Sequence, residues 1–474
     1  MATTQTRPGP VTPGTYLTGP FAPVTAEVDV ADLRVEGELP ADLDGAYLRN
    51  GPNPRFSPIG GYLYPIDGDG MLHRVEVSGG RARYTNRFVR TPMVVAEEKA
   101  GHAIWPGITS PWRPGPDEVG PGLAGTMREL PDINVVRHGG RLLALAECDR
   151  PYRIGPGLET LAQETFGGAL PVGICAHPKI DPRTGEMIAF CYGMAPPFLT
   201  WTTIAPDGTG TPPRPVEGVE RSTMIHDMAI TDRYVVLVVA PLHFDIDAAM
   251  HGGSLLAWDP AAGTRIALVP RDGGPVRWCE TDTFWLWHIA NAHEAKDPAD
   301  PAADVVVLDY VEWAEPTGII PGVPVTPHLS RAVLDPAAGT VRREVLADVD
   351  VEFPRIDDRL VGRAHPFAAL AAQTTRPVPH PGCRDALVWH DTRTNGIIRW
   401  EPADLALGEP AFAPDPRSDA PDAGWWLAFA TRFGTEESSL LVIPAADPAS
   451  GPVASVRMPV RVPLGLHGSW LPTG

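Results

Sequence analysis

The strongly apolar stretches of this 474-residue chain are short, rich in β-branched residues and closed by turn residues, as at 141–147, 234–242, 304–313, 425–433 and 439–444. Such runs read as strands, and one that is apolar at nearly every position, as 234–242 is, suits a strand covered on both faces. Long segments with apolar residues at helical spacing are nearly absent. The 48 glycines and 55 prolines are more than a helix-rich protein tolerates. The class is all-β.

One local pattern recurs at 181–186, 259–264 and 335–340, where Asp-Pro opens and Gly precedes the next strand-like run. Each reads as a β-hairpin tip: Asp caps the turn, Pro is pre-set for its second position, and Gly takes the left-handed conformation. Hairpins repeated over hundreds of residues predict a propeller or a large sandwich, without a period clean enough to count blades. The Pro/Gly-rich stretches 112–125, 205–219 and 297–303 read as insertions on one scaffold, because strands resume promptly after each. Residues 1–25 read as a flexible N-terminal segment and 26–474 as a single domain.

Charge and thiols exclude several classes. Acidic residues outnumber basic ones by 58 to 39, for a formal charge of -19, and no basic stripe exists, so nucleic acid is not a partner. The first residues carry no basic region followed by an apolar stretch, and no run reaches the roughly 18 apolar residues that span a bilayer. The expected location is cytoplasmic. Five scattered cysteines without a C-x-x-C pair read as buried free thiols rather than a disulfide or zinc framework. Asp67-Gly-Asp-Gly70 lacks the remaining residues of a phosphate or calcium loop and reads as a turn. A nucleophilic Cys148 paired with a histidine is a weak candidate, since Glu147 and Asp149 flank the thiol and oppose a thiolate.

Four of the 14 histidines sit in unusual local company: His177 in Ala-His-Pro-Lys-Ile-Asp-Pro, His226 in Met-Ile-His-Asp-Met, His288 in Trp-His-Ile-Ala-Asn-Ala-His-Glu, and His467 in Leu-His-Gly-Ser-Trp. Their separations of 49, 62 and 179 residues exclude a shared helical turn, so only the fold can bring them together. Taken singly, each is more often a packed or surface residue than a ligand.

Taken together and in this order, the four segments resemble the carotenoid cleavage oxygenase family, which includes apocarotenoid and lignostilbene cleavers. The resemblance runs from Leu48-Arg-Asn-Gly-Pro-Asn-Pro54 through Asp67-Gly-Asp-Gly-Met71 to His467-Gly-Ser-Trp470, nearly the whole chain. It implies a seven-bladed β-propeller, with loop and short-helix insertions capping an iron site on the axis. It also implies Fe(2+) held by His177, His226, His288 and His467, with O2 as co-substrate. The family spacing H-x-x-N-A-x-E places the ligand at His288, and puts His293 where an aromatic residue is usual. Three glutamates match the family's outer shell, with Glu147 orienting His226, Glu352 orienting His288 and Glu409 orienting His467.

Neutral imidazoles suit Fe(II), and four of them in an octahedral sphere leave two positions open. The implied reaction is oxidative cleavage of a C=C bond to two carbonyl products. A conjugated apolar substrate calls for apolar walls, for which Trp287, Leu466 and Phe353 are candidates, with core packing the competing reading for each. Relatives that cleave hydroxylated stilbenes typically carry Lys just before the glutamate that matches Glu147; here that residue is Ala146. This favours a carotenoid or apocarotenoid over a stilbenoid or phenylpropanoid alkene. The loops 104–108, with Trp112, and 195–201 are candidate tunnel mouths for weak peripheral membrane contact, which the acidic charge opposes. No obligate protein partner is evident. The alternatives from other classes are a non-catalytic binding propeller and a zinc hydrolase. The first is disfavoured because all seven site positions are present, and the second because catalytic zinc takes three protein ligands plus water.

Overall fold

The computed structural model describes residues 7–251, 253–297, 299–317, 319 and 325–473. They form an all-β molecule of propeller-like arrangement. Five blade-sized sheets of four to six strands stand as separate hydrogen-bonded units. An eight-stranded sheet joins two further four-strand meanders, and one two-stranded ribbon (Leu242–Phe244 with Leu256–Trp258) stands apart. The expectation of seven separate blades is therefore corrected to five. The reason is local: a single parallel bridge, Glu280 with Thr340, fuses the edge strands of the two meanders.

Alternation explains how the sheets stack. On Tyr234–Val239, Val235 and Leu237 enter one core, while Val236 and Val238 enter the next. On Gly424–Arg432, Trp425, Leu427 and Phe429 face one core, and Trp426, Ala428 and Ala430 the other. Successive side chains of a strand point to opposite faces, so a strand apolar at every position glues two neighbouring sheets. Each fully buried Val or Leu contributes roughly 1.5–3 kcal/mol.

The turns at 181–186 and 335–340 are hairpin tips. Asp181 and Asp335 accept backbone N–H groups two residues on, at 2.9 and 2.8 Å, and Gly185 and Gly339 have φ of 71° and 70°. The third is not a hairpin. Leu256–Trp258 pairs with Leu242–Phe244, whereas Thr264–Pro270 pairs with Tyr234–Val239. Turn chemistry bends the chain, but long-range pairing chooses the partner strand.

Seven strands carry the chain past one central region: β1 (Asn134–His138), β2 (Lys179–Ile180), β3 (Met228–Ile230), β4 (Ile289–Lys296), β5 (Val351–Arg355), β6 (Ala411–Pro414) and β7 (Gly468–Pro472). β2 lies against β3, β3 against β4, β4 against β5, β6 against β7 and β7 against β1. β7 also pairs with Gly45–Arg49, which joins late and early segments in one five-stranded sheet.

The insertions contain the short helices Pro92–Ala100, Pro116–Val119 and Ile246–Met250. No helix among the described residues is long and apolar enough to cross a membrane. The 104–108 loop is not an exposed apolar mouth: Ile104 and Trp105 are each 2% exposed and Trp112 9%. Trp105 packs with Met93 and Ile104 under the first helix, and its indole N–H donates to Thr126 Oγ1 at 3.2 Å. In the second loop Leu199 and Trp201 are buried, Phe198 is half-buried, and 194–197 are exposed. Residues 7–25 pack on the body, with Tyr16 stacked on Tyr64 and Phe21 buried, while 1–6 lie outside the described residues. All five cysteines are free.

Candidate metal centre

His177 and His226 each stand two residues before an inner strand, β2 and β3. His288 and His467 stand one residue before β4 and β7. These strand starts aim four rings at one point. One ring nitrogen from each lies within 4.8 Å of all the others. His177 Nε2 is 3.1 Å from His226 Nε2, and His288 Nε2 is 3.1 Å from His467 Nε2. His293 is elsewhere: it sits on β4 with its ring against His365, so the geometry separates it from the cluster.

Three of the four rings are held from behind by carboxylates. His226 Nδ1 donates to Glu147 Oε2 at 2.8 Å, His288 Nδ1 to Glu352 Oε2 at 2.5 Å, and His467 Nδ1 to Glu409 Oε1 at 2.9 Å. With Nδ1 protonated and donating outwards, each Nε2 presents its lone pair to the centre. Glu352 also accepts from Phe353 N and from Trp313 Nε1, at 2.6 and 3.0 Å. Glu409 accepts from Gly468 N at 2.9 Å and Arg355 Nη1 at 3.0 Å. Two of the glutamates are followed by a non-glycine residue in the left-handed region, Cys148 at φ 51° and Phe353 at φ 58°. Backbone strain of about 1–3 kcal/mol at such a residue persists where the surroundings impose it, and here it turns the preceding carboxylate inwards.

Electrostatics separate the groups. Burial, reinforced by the other three rings, pushes His177 well below the usual histidine range. Burial brings His467 down to about 4 against the opposing pull of Glu409. Burial also disfavours the charged form of His288, but the Glu352 carboxylate outweighs it and the net direction is up. Glu352 and Glu409 are fully enclosed, which opposes ionisation; His288 and Arg355 respectively overcome this and hold them at about 2. Glu352 and Glu409 are therefore anionic at neutral pH. Buried lone pairs of imidazoles, backed by anions and 3.1 Å apart, suit a cation. Metal–nitrogen bonds of roughly 2.1 Å at right angles would separate two nitrogens by about 3 Å. The donor set fits a nitrogen-binding metal ion.

The cluster has two kinds of surroundings. A cavity of about 390 Å³ reaches His177, His288 and His467, and its walls mix apolar residues such as Ile180, Ile230 and Ile356 with the polar Lys179, Asp227, Arg355 and Glu409. Trp287, Phe353 and Leu466 are not among its walls. The Trp287 ring stands 5.0 Å from that of His226, and Phe353 lies 5.3 Å from His288 and 5.6 Å from His467. Leu466 packs with Ile133, Ala176 and Phe353. Leu466 is thus core, while Trp287 and Phe353 are half-buried beside the rings. Cys148 is no nucleophile: burial, the neighbouring Cys191 and Glu147 push its thiol up, and its Sγ accepts from Tyr192 N at 3.3 Å.

Residues that the sequence did not single out complete the arrangement. Hydrogen bonds link the inner segments in a closed circuit. Asn134 Nδ2 donates to Ala176 O, Lys179 Nζ to Asp227, and Ile289 N to Asp227; then come the His288–Glu352, Arg355–Glu409 and His467–Glu409 contacts. Ser469 Oγ, donating to Val135 O at 3.0 Å, returns the circuit to β1. The only local signal for any of these was the polar residue beside or near each histidine.

Comparison with known proteins points to one family. The profile of the family described as retinal pigment epithelial membrane protein matches residues 21–472. A carotenoid cleavage oxygenase of Mycobacterium tuberculosis (strain H37Rv) is 33% identical, over 97% of each chain. Among solved structures, the lignostilbene dioxygenase of Pseudomonas brassicacearum superposes with a TM-score of 0.86 at 30% identity, covering 97% of this chain and 98% of that one. The cobalt-substituted Synechocystis apocarotenoid oxygenase gives a TM-score of 0.82 at 27% identity, covering 95% of this chain and 97% of the other.

Proposed function

We propose that this chain, which belongs to the retinal pigment epithelial membrane protein family of carotenoid cleavage oxygenases, is a non-haem Fe(II) dioxygenase that splits a C=C bond of a carotenoid or apocarotenoid into two carbonyl products. The observation that carries this is the convergence of four imidazole nitrogens backed by three carboxylates, of which Glu352 and Glu409 are buried. His177, His226, His288 and His467 would hold the ion, and Glu147, Glu352 and Glu409 would fix the tautomer and angle of three of them. A ligand set without carboxylate would leave a bound ion its full positive charge. When bound, Fe(II) supplies the redox chemistry that activates O2 towards an alkene.

The rest belongs to the protein. Trp287 and Phe353 offer apolar surface against which a polyene can lie, excluding water from the reacting bond. Ala146, buried beside Glu147, offers no polar group to a phenolic oxygen, which favours a polyene over a hydroxystilbene. The second reading, a stilbenoid or phenylpropanoid alkene, is favoured by the structural likeness to lignostilbene dioxygenase. Residues 26–474 are taken as one catalytic domain of propeller-like arrangement. We place the protein in the cytoplasm, with a small conjugated molecule as its partner.

The test is anaerobic reconstitution with Fe(II), then parallel incubation under O2 with an apocarotenal and with 4-hydroxystilbene, following absorbance and aldehyde products by mass spectrometry. Cleavage of the apocarotenal supports the first reading, and cleavage of the stilbene alone supports the second. Iron-loaded protein that cleaves neither overturns alkene cleavage.

A further inference from the structure

We propose that Asp227 is the positioning residue that sets three of the four histidine segments in register, so that their nitrogens are in place before an ion arrives. The proposal rests on the reading of the four histidines as metal ligands. Asp227 directly follows His226 and is 2% exposed. Its Oδ1 accepts from Met228 N at 2.7 Å and from Lys179 Nζ at 2.8 Å, and its Oδ2 accepts from Ile289 N at 2.8 Å. Lys179 stands two residues after His177, and Ile289 one residue after His288. Each contact falls on the first residue of an inner strand: Lys179 opens β2, Met228 opens β3 and Ile289 opens β4.

The sheets alone anchor these points poorly. β2 has two residues and β3 three, so few ladder bonds hold them. The pairing of β4 is irregular where it begins, with Ile289 opposite Tyr310 but Asn291 opposite Asp309. The register shifts between Ile289 and Asn291, one residue beyond the start of the strand, and the Ile289 N–H donates to the Asp227 carboxylate. A metal site requires its ligands held to within about 0.5 Å, which short strands and a broken register do not provide by themselves. One carboxylate receiving two backbone N–H groups and an ammonium does provide it. The role needs the carboxylate: an amide keeps one acceptor oxygen and turns an NH2 towards a donor, leaving a buried group unpaired. Asp227 does not join the ligand set itself, since its oxygens are committed to these donors and it lies outside the four-histidine group. The His467 segment has its own anchor, Arg355 with Glu409 and the backbone of Gly468.

The experiment titrates metal-free protein with Co(II), reading both affinity and the visible ligand-field band, for the parent, Asp227→Asn and Lys179→Met. The parent is expected to take up one equivalent. Asp227→Asn, folded by circular dichroism and with a parent-like thermal midpoint without metal, is expected to bind Co(II) about ten- to hundredfold more weakly, with a shifted band. Lys179→Met removes one donor and keeps both backbone contacts, so it is expected to lose less than about tenfold, with a smaller band shift. A folded Asp227→Asn with affinity within about threefold of the parent and an unchanged band overturns the proposal. If Asp227→Asn does not fold, Lys179→Met decides: a shifted band supports the hub, and a parent-like band with parent affinity overturns it. A parent that takes up no Co(II) overturns the four-histidine reading itself, and this proposal with it.

Discussion

Replacing Glu352 by Gln tests whether the carboxylates behind the rings tune the centre or only fill space. Glu352 receives three donors: His288 Nδ1 at 2.5 Å and Phe353 N at 2.6 Å on one oxygen, and Trp313 Nε1 at 3.0 Å on the other. Glutamine is nearly isosteric, but it accepts through one oxygen only. If that oxygen keeps His288 and Phe353, the new NH2 faces the Trp313 N–H, and one hydrogen bond to a charged acceptor is lost, a cost of about 1.5–3 kcal/mol. The negative charge that favours a cation on the far side of the His288 ring is lost as well. At about 1.4 kcal/mol per tenfold, the expected weakening of metal binding is roughly ten- to hundredfold. The assay is competition between anaerobically loaded protein and a chelator of known affinity, with the thermal midpoint of the metal-free protein as a check on folding. A folded Glu352→Gln that holds Fe(II) within about threefold of the parent and turns over at the parent rate refutes the reasoning.

Further outcomes follow from the same geometry. His226→Ala is expected to abolish metal retention by elemental analysis, whereas His293→Ala, outside the cluster, keeps it; the reverse result would reassign the ligands. His365 is held at about 4 by burial, against the opposing pull of Asp309. Its folded value lies below the unfolded 6.5, so its stabilisation is fully present above pH 6.5 and is lost as pH falls towards 4. Chemical denaturation between pH 6.5 and 5 should show a loss approaching about 1.4 kcal/mol per pH unit from this group, with a shallower slope in His365→Gln. An equal slope in that variant would assign the effect to other groups. Trp105→Ser is expected to cost about 3–5 kcal/mol in denaturation experiments without changing vesicle partitioning, because the indole is core and not surface. Altered partitioning with unchanged stability would contradict that.

The strands were legible in the sequence because their cause is local. Runs such as 234–242 and 425–433 feed two cores by simple alternation, and the turns at 181–186 and 335–340 are read from Asp, Pro and Gly in order. The same turn chemistry misled at 259–264, since it cannot say which strand the chain will pair with next. Hydropathy marked 104–108 as apolar but carried no information on whether a helix covers it. The four histidines stood out only as a set within a resemblance, as spacings of 49, 62 and 179 residues carry no geometry. Asp227, Lys179 and Arg355 stayed hidden for a related reason. Each looks like an ordinary surface charge until segments far apart in sequence meet, and only then do the donors and acceptors around them become countable.

The pairing of Gly468–Pro472 with Gly45–Arg49 makes completion of the centre depend on closing a long loop. His467 and the carboxylate contact on Gly468 enter only when this distant pair of segments is zipped, a step with a large loop-closure cost. Until then three imidazoles face a gap. Tight uptake of an ion thus serves as a readout of clasp formation, and the bound ion in turn stabilises the zipped state by mass action.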